Sequence, residues 1–139
     1  MISVLSTTNR YILQPNLLDM HHKSLEWLSA TALWKRELGF FQKLLDQAAP
    51  RVAAEHKPQV SHFQNLITYY GGELVDTLRG KLRDHENTLA TTLQKYSEKD
   101  TQYFKEHNGI MEELEAFQNA FVGFKHQFYE FVEKTIHNS

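Results

Sequence analysis

Eight histidines and seventeen acidic residues are the side chains of this 139-residue chain best suited to chemistry. Imidazole and carboxylate together hold a divalent metal or pass a proton, so their spacing matters. A di-iron carboxylate bundle needs Glu-x-x-His on two helices, because residues three apart project to the same side. No glutamate here is followed by a histidine three positions later, and neither His-Glu-x-x-His nor His-x-x-x-His occurs. Two His-x-x-x-Glu pairs do occur, His22 with Glu26 and His126 with Glu130. One helical turn apart, such a pair can ligate a metal or simply share a hydrogen bond on a wet face.

Stacking the chain as antiparallel helices brings more groups together. With connectors turning near residues 54 and 99, His21 and His22 lie level with His85, and with Glu112 and Glu113 from the last helix. The best-placed ligands for a divalent metal are then His22, Glu26, His85 and Glu113. A plainer reading of His85 is a core histidine satisfied by a neighbouring carboxylate or tyrosine, and His107 invites the same reading. A second level would gather Glu37, Glu73 and His126, alternatively an interhelical polar bridge beside Gly71-Gly72.

Other chemistry is excluded more firmly. The absence of cysteine removes disulfides, thiolate nucleophiles, cysteine zinc sites and iron–sulfur clusters. Ser24, Ser29, Ser61 and Ser97 sit in no Gly-x-Ser-x-Gly turn, and Gly71-Gly72 lacks the Gly-Lys-Ser/Thr ending of a phosphate loop. The basic run Arg79, Lys81, Arg83 is answered by Asp84 and Glu86, and the net charge is −2, so nothing points to nucleic acid or anionic lipid. No apolar stretch reaches the ~20 residues of a membrane span, and the first residues, without a basic start and a long apolar segment, do not read as a convincing signal peptide. The expectation is a cytoplasmic protein without a catalytic motif.

The elements that would carry these residues are long helices. From Leu17 a heptad pattern runs through Met20, Ser24, Trp27, Thr31, Trp34, Leu38, Phe41, Leu45 and Ala48, capped by Asn16 and stopped by Pro50. A connector, residues 50–58, leads to a second pattern: Val60, Phe63, Ile67, Tyr70, Leu74, Leu78, Leu82, His85, Leu89, Leu93, Tyr96. Its steps of four from Tyr70 to Leu82 form a stutter, and Gly71-Gly72 falls inside it. Two adjacent glycines cost a helix interior roughly 2 kcal/mol against alanine, so they mark either a bend or a turn.

The third pattern follows Ser97-Glu98-Lys99, with Asp100 as N-cap. It runs through Tyr103, His107, Ile110 and Leu114 to Phe117, Phe121, Phe124, Phe128 and Phe131. Uninterrupted from Thr101 to His137, it would be roughly 55 Å long. The predicted fold is all-α: an arm over residues 1–16, then one domain over 17–139. That domain is an antiparallel up-down-up bundle of three long helices, or four if Gly71-Gly72 is a turn.

Three blocks, His62-Phe63-Gln64-Asn65, Phe121-x-x-Phe-Lys-His-Gln-Phe-Tyr-x-Phe and Trp34-Lys35-Arg36-Glu37-Leu38, resemble an uncharacterised family of small helical proteins from Bacteroidetes-type bacteria. The resemblance implies an all-helical fold over roughly residues 18–137 and no activity. The last helix is apolar beyond its stripe, at Met111, Val122, Tyr129, Val132 and Ile136. That surplus points to a protein partner or self-association, with no cofactor; metal binding by the histidines and carboxylates is the alternative.

Overall fold

The computed structural model describes residues 15–94 and 99–137, and all of these except Val52 and Ala53 are helical. Helix α1 spans Pro15–Ala48, two 3-10 turns follow at Ala49–Arg51 and Ala54–His56, and α2 spans Lys57–Tyr69. A π-helical turn at Tyr70–Leu74 leads into α3, Val75–Gln94, and α4 spans Lys99–His137. Helix α1 begins at Pro15, so Asn16 sits in its first turn and is not its cap. A leading proline suits that position, where its missing N–H has no helical partner to lose. The arm up to residue 14 and the connector at residues 95–98 lie outside the described residues. No described helix is long and apolar enough to cross a membrane.

Pro50 ends α1 as its chemistry requires, and Val52 and Ala53 are extended. The ammonium of Lys57 donates to the Ala49 carbonyl at 2.7 Å, satisfying an acceptor that the helix end leaves without a partner. Pro58 falls in the first turn of α2, again where its N–H is not needed.

The glycine pair lies in the π turn. Tyr69, Tyr70 and Val75 all have right-handed helical φ and ψ, and the Val75 N–H donates to the Tyr70 carbonyl five residues back. One extra residue is thereby taken into the helical path, which is what the steps of four from Tyr70 to Leu82 encode. The glycines supply no left-handed conformation; among the described residues none has positive φ.

Contacts cluster in two compact units: α1 up to Thr31 with Leu78–Leu114, and Ala32–Thr77 with the chain from Glu115 on. In the second unit Trp34, Leu38, Phe41 and Leu45 of α1 are buried with Phe63, Ile67 and the α4 stripe. Phe41 is fully enclosed, with ring centroids 5.0 Å from Phe128, 6.0 Å from Phe124 and 6.3 Å from Phe121. The stripe's last expected member, Phe131, is only half-buried, and Val132 takes the core position beyond Phe128. In the first unit Leu17, Leu89 and Tyr103 form an apolar cluster joined by Met20 and Phe104. Ser24 and Thr31 are fully buried there, as small residues on a heptad seam should be. Thr31 donates its hydroxyl to the Leu28 carbonyl at 2.8 Å and accepts from the Arg79 guanidinium at 3.0 Å.

Candidate functional site

The densest polar arrangement lies inside the first unit. His85 occupies a stripe position of α3 and is wholly buried. Both its ring nitrogens are engaged, Nδ1 with Glu106 Oε1 at 3.0 Å and Nε2 with His107 Nδ1 at 2.9 Å. A carboxylate only accepts, so Nδ1–H of His85 donates to Glu106. The neutral ring then accepts at Nε2, and His107 donates to it through its own Nδ1–H. The Tyr103 ring, one turn before His107, stacks on His85 with centroids 4.1 Å apart and planes within 7°. Glu106 is 44% exposed, so the chain Glu106–His85–His107 runs from solvent into the core.

Burial sets the electrostatics. It is the larger of two causes that lower the His107 pKa to about 4, the other being repulsion from any charge that His85 takes up. Burial, then the carboxylates of Glu86 and Glu106, push the Tyr103 phenol well above its usual range, so it stays protonated. A second imidazole, His21, meets Glu86 Oε2 at 2.5 Å through Nδ1. Glu86 Oε1, the Tyr103 hydroxyl and Ser24 Oγ are buried without a hydrogen-bond partner. Two hydrogen bonds thus tie a solvent-facing carboxylate to a buried pair of imidazoles. Among the described residues the hydrogen bonds of this arrangement join no serine to an imidazole.

The four expected metal ligands do not converge. His22 and Glu26 are exposed, and Glu26 stands 3.9 Å from the Lys23 ammonium. Glu113 accepts from Lys81 at 2.8 and 3.0 Å. His85 alone is inside, and its nitrogens are taken by Glu106 and His107. Among the described residues no group of three or more histidine, aspartate or glutamate side chains is placed to hold a metal ion. The plainer reading of His85 therefore describes it better. His85 faces His107, six residues before the expected Glu113, because α3 and α4 pair at a different height from the one the connector length suggested. Sequence reasoning missed Glu106 and Glu86; the signal available was His107 on the stripe, one turn from Tyr103 and beside Glu106.

The second expected level is likewise regrouped. Glu37 pairs with Lys125 at 3.2 Å, while Glu73 and His126 are exposed. Glu130 is paired with Lys134 at 3.4 Å and not with His126. The Lys125–Glu37 bridge lies on an apolar surface of the second unit. Leu33 and Phe40, each 55% exposed, flank Glu37 on α1, and Val122 and Tyr129, 45% and 43% exposed, flank Lys125 on α4. A shallow hollow of about 310 Å³ is lined by Val122, Lys125, His126 and Tyr129. Val122 and Tyr129 were legible as surplus apolar residues. Leu33 and Phe40 were not, because they lie off the heptad stripe, although seven residues apart.

No protein-family model, curated protein or solved structure matches this chain, so the resemblance to small helical bacterial proteins gains no support.

Proposed function

We propose that this chain is a non-enzymatic up-down-up bundle of three long helices, cytoplasmic, that works through protein–protein contact, first of all with copies of itself. Within the first unit, His21 meets Glu86 and Thr31 meets Arg79, so α1 and α3 number in opposite directions. His85 meets Glu106 and Lys81 meets Glu113, opposed again, which supports the antiparallel order. Counting the π turn as part of one bent helix gives three helices.

The observation that carries the functional reading is the apolar surface around Lys125–Glu37. Two aromatic and two aliphatic side chains, each about half exposed on adjacent helices, gather in one place and form the kind of patch that often carries a contact. Light scattering coupled to size exclusion tests it across the micromolar range. The expected result is a mass that rises with concentration above the 16.3 kDa of one chain. A constant 16.3 kDa at every concentration would refute it.

A further inference from the structure

We infer that the α1–α4 face of the second unit docks a second copy of this chain, the two copies being related by a two-fold axis parallel to the helices. This rests on the self-association reading and adds its surface and orientation. Glu37 and Lys125 are bonded and therefore level. On α1 the order is Leu33, Glu37, Phe40; on α4 it is Val122, Lys125, Tyr129. Trp34 packs on Phe117 and Phe41 on Phe128, so within this unit the two helices number in the same direction. The face is thus two parallel stripes, apolar, charged, apolar, with opposite charges side by side at the centre.

Charge selects the symmetry. An axis along the helices lays α1 of one copy over α4 of the other at equal height. Leu33 then meets the partner's Val122, Glu37 the partner's Lys125, and Phe40 the partner's Tyr129. The hollow beside Tyr129 seats the partner's Phe40 ring. An axis across the helices would instead place Glu37 on Glu37 and Lys125 on Lys125, like charges at a centre losing its water. The four apolar side chains expose on the order of 400 Å² per copy, taking 150–250 Å² for a whole aromatic side chain. A standard interface buries about 800 Å² per partner, so this face belongs with weak, transient pairs.

The test combines sedimentation equilibrium with cross-linking on the full chain. Phe40→Asp should weaken association at least about tenfold while the circular dichroism spectrum stays unchanged, since Phe40 lies outside the core. Glu37→Lys and Lys125→Glu should each weaken association, and together they should restore it. The chain has no native cysteine, so orientation can be read directly. Copies carrying Leu33→Cys mixed with copies carrying Val122→Cys should oxidise to a disulfide-linked heterodimer, whereas Leu33→Cys alone should not link to itself. Monomeric wild-type protein overturns both the self-association reading and this inference. A wild-type dimer indifferent to Phe40→Asp overturns this surface and leaves self-association standing. Preferential linking of Leu33→Cys copies to copies carrying Phe40→Cys, the pair that an axis across the helices brings together, overturns the axis.

Discussion

Replacing His107 by glutamine removes a titrating group from the core while keeping an N–H that can donate to His85 Nε2. In the folded chain burial, aided by repulsion from any charge that His85 takes up, holds His107 at about 4 against 6.5 for a free imidazole. Its folded pKa is depressed, so between those values the unfolded chain binds more protons than the folded one. The stability this neutral imidazole confers is complete above pH 6.5 and drains away as pH falls from about 6.5 to about 4. At about 1.36 kcal/mol per unit, the wild type should lose roughly 2.5 kcal/mol from this group between about pH 7.5 and 4.5. Glu106 from α4, Glu86 and His85 from α3, and His21 from α1 are common to both proteins, so the wild-type-minus-variant difference isolates His107. Urea unfolding followed by circular dichroism at the two pH values gives that difference. The reasoning fails if both proteins lose the same stability within about 0.5 kcal/mol, or if the His107 ring proton titrates near 6.5 in an NMR series.

Two further predictions concern the helices themselves. Gly72→Ala should stabilise the chain by about 0.5–1 kcal/mol, because its added Cβ would meet nothing within 4 Å and the backbone there is helical; a lowered urea midpoint would show that the π turn needs glycine for another reason. Thr31→Val keeps the shape of a fully buried side chain but removes the acceptor for Arg79, and should cost about 1–2 kcal/mol in the same assay; an unchanged midpoint would mean that Arg79 finds equal partners in the Leu28 carbonyl and water.

Some of this was legible in one dimension. The spacing of Trp34, Leu38, Phe41 and Leu45, and of Phe117 through Phe128, placed these residues in the interior correctly. The same pattern placed the polar Ser24, Thr31, His85 and His107 there too, and all four are buried. Helical periodicity does this because it fixes the angular position of each side chain about its own axis, whatever the side chain is. The stutter at Tyr70–Leu82 carried the π turn for the same reason: an extra residue in the turn is an extra step in the pattern.

What periodicity does not fix is the height at which one helix stands against another. A shift of six to seven residues along α4 replaced Glu113 by His107 and Glu106 as the neighbours of His85, so an imidazole and a carboxylate occupy its nitrogens. The regrouping of Glu37 with Lys125, in place of Glu73 and His126, has the same origin. Sequence alone determined the inward face of each helix for most of its length, because that is a property of the helix itself, although Val132 and not Phe131 closes the core at the end of α4. Only tertiary packing decided which of them meet, because axial height depends on the connections and on how the side-chain ridges of facing helices interlock.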